Sequence, residues 1–345
     1  MMRLFRRNRG AEQTTALAER PSNPEQLLSR IAELREQNRR SRELDTEREL
    51  LRLRHLAANA IIERTASEPP FPEPDFSLLP DNEVLPEFRP EQLSPRLIRA
   101  GLLTQGCVLV RGLFDRAAAE EMAREIARAF AERERIMAGD GGDPAYYEPF
   151  EPPSEHDVNV GTRAWVREGG GLLAADSPKL AAAMFEMFDQ AGIQEIVGGY
   201  LGEHPLISIE KTTLREADPH VPGAWHQDGR FMGPVRALNM WVSLSRCGDV
   251  APGLDIVPRR LEHYVATQTD EALLDYQISQ KMAEEAAGDV PIVRPIFEPG
   301  DVLFFDELCL HQTGSDPTMP NPRYAIECWF FGGSKFPKEY GALAV

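Results

Sequence analysis

Apolar residues along this chain change their spacing several times, and each change marks a different kind of element. Between Pro24 and Thr65 the apolar positions Leu27, Leu28, Ile31 and Leu34, and later Leu50, Leu51, Leu53, Leu56 and Ile61, recur at mixed steps of three and four. That spacing predicts helix, because residues three and four apart share one face. Arg35 to Glu49 is almost wholly charged or polar, so the text reads as two amphipathic segments on one long helix, or as a helix broken near Asp45. Eight prolines from Pro69 to Pro95 then predict an extended linker or surface strap. A short helix follows from Pro95 to Gly101 and a strand from Cys107. A longer helix over Arg116–Arg133 is capped by Asp115, with Ala119, Met122, Ile126 and Phe130 on its apolar face. Residues 134–175 show no clean period and predict long loops near a site, and residues 178–201 return to helix.

From Pro205 the text becomes short apolar runs divided by turns. Strands are predicted at Leu206–Arg215, Arg236–Ser245, Gly253–Val257, Val293–Phe297, Asp301–His311 and from Arg323 to Phe331, with a helix inserted over 269–288. Many short strands with turn signals predict an antiparallel sandwich or jelly roll rather than βαβ units. The fold class expected is α+β, with four zones: a basic polar tail (1–22), a helical arm (23–66), a Pro-rich linker (67–95) and a domain (96–345) whose strand-rich core spans about 200–335. The apolar seam of the arm is too interrupted for a sustained coiled coil. It reads as helix packed on the domain at its ends, with homo-oligomerisation through the arm as the sharper alternative.

Composition narrows the classes. Hydrophobic residues make up 42% of 345, enough for a sizeable core, and no apolar stretch approaches a membrane span of about 20 residues. The N-terminus, Met1-Met-Arg-Leu-Phe-Arg-Arg-Asn-Arg9, has no apolar signal-peptide core, so a cytoplasmic location is expected. A formal net charge of −17 argues against a general nucleic-acid binder. Cys107, Cys247, Cys309 and Cys328 are scattered, with no CxxC pair, which speaks against a zinc or iron–sulfur site built from them.

Candidate chemistry starts at Trp225-His-Gln-Asp228. With 7 histidines and 55 acidic residues in 345, about one His-X-acid triplet is expected by chance, so the information lies in its setting. Residues i and i+2 of a strand share a face, so His226 and Asp228 can reach one ion from a strand or strand end. Two imidazoles and a carboxylate are the ligand set that holds a non-haem ferrous ion on one face and leaves positions open. Downstream only His263 and His311 can supply the second imidazole. His311 closes an apolar run, whereas His263 sits in polar text, Arg259-Arg-Leu-Glu-His-Tyr264. His220 reads as a loop residue between prolines. His55, His156 and His204 attach to no pattern, although His156 lies in the long-loop zone. Arg323 opens the last long strand, where a buried guanidinium could hold a carboxylate by a two-pronged hydrogen bond.

Taken together, the ordered series Trp225-His-Gln-Asp-Gly229, Leu238-Asn-Met-Trp241, Pro252-Gly-Leu-Asp-Ile-Val-Pro258, Pro299-Gly-Asp301, His311 and Arg323 resembles the phytanoyl-CoA dioxygenase-like family of Fe(II)/2-oxoglutarate-dependent oxygenases. The resemblance covers roughly 95–335. It implies a double-stranded β-helix (jelly-roll, cupin-like) core flanked by helices, with His226, Asp228 and His311 on iron. It further implies Arg323 on the C5 carboxylate of 2-oxoglutarate, with Trp241 and Lys211 lining the co-substrate pocket. The activity implied is hydroxylation of a C–H bond of a small molecule by molecular oxygen, with release of succinate and CO2. Desaturation or epimerisation is an alternative use of the same centre, and a jelly-roll binding protein without turnover is an alternative of another class. A third is a partner-docking subunit built on the arm. Two positions depart from the family: Val257-Pro-Arg-Arg260 stands where a Gly-Ser-His is common, on the segment expected to face substrate, and Ala325 where many relatives have Ser. Relatives that halogenate replace the carboxylate with a small residue, so Asp228 disfavours halogenation.

Overall fold

Residues 23–81, 83–153, 160–233, 235–267 and 276–345 are described by the computed structural model; the basic tail and His156 lie outside the described residues. Two helices form the arm, α1 (Pro24–Ser41) and α2 (Leu44–Arg64). The Asn23 side chain accepts from the Glu25 N–H, and Pro24 occupies the first turn, where a missing donor costs nothing. Arg42 takes the left-handed conformation (φ 51°), so the helix breaks just ahead of Asp45 and α2 packs beside α1. The Pro-rich stretch carries the two-residue β1 (Glu87–Phe88). Next come α3 (Pro95–Thr104), β2 (Cys107–Val110) and α4 (Arg116–Ala138), with Asp115 accepting from the Ala118 N–H as the sequence predicts.

The zone read as loops holds α5 (Val160–Glu168) and β3 (Gly171–Leu173). A three-residue strand entered through two glycines leaves no periodic trace. Gly170 has φ 70°, and a Cβ there would stand 2.3 Å from the Glu216 carbonyl oxygen. The predicted helix over 178–201 is two helices, α6 (Pro178–Gln190) and α7 (Ile193–Leu201), parted at Gly192 with φ 66°. Then follow β4 (Leu206–Ala217), β5 (Trp225–His226), the single-turn α8 (Gly229–Met232), β6 (Ala237–Ser243) and β7 (Gly253–Ile256). The rest is β8 (Gln277–Ile278), α9 (Gln280–Ala287), β9 (Val302–Phe305), β10 (His311–Gly314), β11 (Arg323–Phe331) and β12 (Ala342–Ala344). Residues 293–297 make only isolated bridges, Ile256–Val293 and Cys247–Phe297, since Pro295 cannot donate to a ladder.

A large sheet runs β1-β2-β9-β6-β11-β4-β12, with β3 also on β4, and is antiparallel except between β1 and β2. A small antiparallel sheet runs β7-β10-β5-β8. Strand alternation gives the large sheet two different faces. On one, Phe330 packs against Phe188 of α6. On the other, Trp329 meets Phe305, and Arg323 reaches across to the Gly253 carbonyl of β7. The functional residues therefore lie between the two sheets. No helix among the described residues is long and apolar enough to cross a membrane.

The arm belongs to this core. Leu27, Ile31, Leu34, Leu50, Leu51 and Leu53 are buried in the main cluster, packed within the chain. Arg54 donates to the Ala344 carbonyl at 2.6 Å with its guanidinium 3.6 Å from the Phe185 ring centre, and His55 Nδ1 lies 3.0 Å from the Ala342 carbonyl. These contacts close the outer edge of β12, which would otherwise be free to pair. Leu50→Ala is expected to lower unfolding free energy by about 2–5 kcal/mol in a single denaturant transition. A change below about 0.5 kcal/mol, or a separate transition for the arm, would contradict this packing.

Candidate metal centre

His226 on β5 and His311 on β10 are directly opposed partners in the small sheet. Opposed residues of an antiparallel pair project from the same face. Two imidazoles separated by 85 positions (311 − 226) thus come within 4.5 Å, centre to centre. Their Nδ1 atoms are fixed alike: that of His226 donates to the Ala224 carbonyl at 2.7 Å, and that of His311 to the Cys309 carbonyl at 3.2 Å. A carbonyl only accepts, so the neutral rings carry their proton on Nδ1 and present Nε2 as a lone-pair donor.

The chain reaches these positions by two turns. The run Asp301–His311, read as one strand, is two: β9 ends at Phe305 in the large sheet, and His311 opens β10 in the small one. Asp306 makes the crossing. Its carboxylate accepts from the Leu308 N–H at 3.1 Å and pairs with Arg260, and its carbonyl accepts from Cys309. The apolar Leu308, Cys309 and Leu310 disguise this turn in the text. Arg260, expected on the substrate side, holds the turn instead, while Arg259 reaches the Ala287 carbonyl. The second turn follows His226. Gln227 is buried and points away from the ligands, its amide donating to the Leu308 carbonyl at 2.8 Å and accepting from the Val265 N–H at 2.8 Å. It ties β5 to the crossing that delivers His311. Asp228 is helical (φ −61°, ψ −28°) at the start of α8, not on the strand itself.

The Asp228 carboxylate is 1% exposed, with Oδ1 3.4 Å from His226 Nε2 and Oδ2 without a hydrogen-bond partner among the described residues. One ligand atom from each of His226, Asp228 and His311 lies within 4.8 Å of the others. Burial pushes the Asp228 carboxyl up, but when the two rings are protonated the Nε2–H of His226 facing Oδ1 and the positive charges of His311, His226 and Lys211 outweigh it and hold it below the usual carboxylate range. Burial pulls His226 down, and the hydrogen bond and charge of Asp228 reverse this and raise it. Phe305 lies against His311 at 4.8 Å between ring centres, and Phe231 and Tyr276 flank His226 at 6.4 and 6.2 Å. The His226–Asp228–His311 cluster is therefore walled by aromatic rings.

Arg323 is buried on the inward face of β11, its Nη1 3.3 Å from the Gly253 carbonyl, its Nε unpartnered among the described residues, and its guanidinium 5.3 Å from the Trp241 ring centre. Burial draws it down to about 10. Lys211 stands where the β4–β11 pairing slips: between the pairs at Ile207 and Thr212, β4 advances five residues while β11 advances two. This bulge carries Lys211 among Phe231, Tyr340 and Trp165, with ring centres 4.7, 4.9 and 5.7 Å from Nζ. Ala325 is buried on the same face as Arg323. Two buried groups there were not singled out in the sequence: Asn239, whose amide N and O both lack partners among the described residues, and Thr213, whose hydroxyl also lacks one. Nothing in a strand-like text separates an inward Asn from an outward one. His263 is exposed and joins the site only through its backbone carbonyl, which accepts from Gln227 at 3.3 Å. His220 is exposed and paired with Asp218, and His55 and His204 lie outside the cluster.

No protein-family model and no curated protein sequence matches the chain. Among solved structures it is similar to EctD from S. alaskensis, crystallised with 2-oxoglutarate and 5-hydroxyectoine, at 19% identity, 78% of this chain, 85% of that chain and a TM-score of 0.46. It is also similar to the non-haem α-ketoglutarate-dependent epimerase SnoN from nogalamycin biosynthesis, at 19% identity, 69% of this chain, 82% of that chain and a TM-score of 0.39. A second SnoN structure, in complex with Fe3+, α-ketoglutarate and nogalamycin RO, gives 17%, 69%, 83% and 0.42.

Gly223, just before β5, allows the closest approach in the site: a Cβ there would stand 2.0 Å from the Thr313 carbonyl oxygen and 2.9 Å from its N, both backbone atoms of β10. Gly223→Ala must push β5 away from β10. The expected result is a loss of at least tenfold in metal affinity, measured by titration of the metal-free protein, together with a lowered melting temperature. Unchanged affinity would mean that the opposed histidines do not define the centre.

Proposed function

We propose that this chain is an iron(II)- and 2-oxoglutarate-dependent oxygenase with a double-stranded β-helix core, hydroxylating a C–H bond of a small molecule. One observation carries the reading: two imidazoles with Nδ1 tied back, and a buried carboxylate with an unpartnered oxygen, converge on one point between the sheets. An unsatisfied buried carboxylate oxygen is costly in the protein alone, and a cation bound there would relieve it. The donor set, two nitrogens and one oxygen, fits ferrous iron with positions left open. His226, Asp228 and His311 would hold the metal, and Asp228 keeps the carboxylate that halogenating relatives lack. Bound there with 2-oxoglutarate and oxygen, the iron would supply the oxidising power for hydroxylation, with succinate and CO2 released.

The remaining residues bind and orient. Arg323, charged, buried and short of acceptors, would take the remote carboxylate of 2-oxoglutarate. Trp241 would form the adjoining wall, and Lys211 would add a second cation toward the metal end. The unpartnered amide of Asn239 can hydrogen-bond a polar ligand between them. Phe231, Tyr276 and Phe305 exclude water from the metal side. The four thiols are free and buried, which fits the cytoplasmic location expected from the sequence.

Anaerobic addition of 2-oxoglutarate to the Fe(II)-loaded protein should produce a weak visible absorption band. Its absence in folded, iron-loaded protein would overturn the reading. His226→Ala should abolish iron binding in the same titration. Arg323→Leu should leave iron bound and raise the 2-oxoglutarate concentration needed for the band roughly 30-fold or more, since removing one partner of a buried charge pair costs about 2–5 kcal/mol.

A further inference from the structure

Beyond the metal and co-substrate positions, the inward face of β11 presents one acidic side chain. Arg323, Ala325, Glu327, Trp329 and Phe331 alternate onto this face, and Glu327 is the member with a carboxylate. In register it is flanked by Thr213 on β4 and Trp241 on β6. Thr213 is 5% exposed, and its hydroxyl has no partner among the described residues. Glu327 itself is 28% exposed, so it is reachable from solvent, and its ion pair with Arg215 is a loose one at 4.0 Å. An ionised carboxylate offers acceptor sites only, and among the described residues Glu327 has Arg215 as its one ion-pair partner.

We infer that Glu327 is a specificity-determining residue that receives a protonated amine of the substrate, with Thr213 beside it and Trp241 as the apolar wall. The assignment rests on the oxygenase reading for the reaction but on the face of β11 for the subsite. Arg215 then orients the carboxylate. It is the cross-strand neighbour of Ala325, one pleat away, and its guanidinium would turn Glu327 toward the space between the sheets without saturating it. Glu327 stands four residues from Arg323 and two from Ala325 on the same face of β11. A substrate amine held there would lie beside Thr213 and Trp241, its cross-strand neighbours. An ammonium donating to a carboxylate is the stronger, charge-assisted form of hydrogen bond, so the subsite separates cationic from anionic ligands of equal size.

The test uses three probes of equal length, hexylamine, hexanol and hexanoate, at neutral pH. Each is titrated into the full-length protein, both metal-free and loaded anaerobically with Fe(II) and 2-oxoglutarate, with tryptophan fluorescence as the readout. Hexylamine should bind roughly tenfold to a hundredfold more tightly than hexanoate once 2-oxoglutarate is present to occupy Arg323, the range of a hydrogen bond to a charged group. Glu327→Gln should abolish that preference, and Glu327→Lys should invert it toward hexanoate, while the visible iron band persists in both variants as proof of folding. No binding of any probe, no preference in the unaltered protein, or a preference that survives Glu327→Gln would overturn the assignment. The two readings fail separately. An amine preference in protein that never forms the visible band leaves the subsite standing and removes the oxygenase; the band without the preference does the reverse.

Discussion

The opposed placement of His226 and His311 on adjacent antiparallel strands is the constraint to which the rest of the site conforms. A slip of one residue in that pairing would turn one imidazole to the opposite face, since strand side chains alternate with period two. The pair is therefore pinned from several directions. β10 is registered on its other side by four consecutive pairs with β7. β5 is only two residues long and is held on its far edge by β8. Gly223 lets the two backbones approach before the pairing begins, and Gln227 fastens the end of β5 to the crossing from β9. A short strand with little pairing of its own is made rigid by its surroundings, as the proposed role of His226 as a metal ligand would require.

Charge between the sheets is arranged differently from charge on the surface. Exposed pairs such as Arg30–Glu33 are closed locally and contribute little. Inside, Asp228, Arg323, Asn239 and Thr213 all keep at least one polar atom without a partner among the described residues. Such groups cost stability unless water or a ligand satisfies them, so a polar occupant would be favoured there. Binding would accordingly add to the stability of the folded chain by mass action.

Much of the strand text was legible because period-two alternation survives in long strands: Arg236–Ser245 and Arg323–Phe331 match β6 and β11 nearly residue for residue. The two halves of the arm were legible from their seams, and the break between them from the charged text, although it falls at Arg42 rather than Asp45. What stayed hidden was the geometry that depends on turns made by residues with apolar neighbours. Asp306 splits an apolar run, and a polar triplet divides its work, with His226 and Asp228 facing the site and Gln227 bracing the loop behind it. The third ligand could be narrowed to His263 or His311 from the text alone, because cross-strand opposition is a fact of tertiary pairing. The pairing of Arg260 was hidden for the same reason: its partner, Asp306, is 46 residues away.

The arm's attachment to β12 has a consequence for biosynthesis. Arg54 and His55 bind carbonyls 290 and 287 residues further along the chain, on β12. Until that strand is made, α2 has no edge to close, and the apolar surfaces of α2 and α6 lack part of their cover. Contacts of such separation form late and slowly, so a nascent chain carries α2 in an unfinished state until β12 has been made. Docking of the arm is in this way coupled in time to a segment nearly three hundred residues downstream.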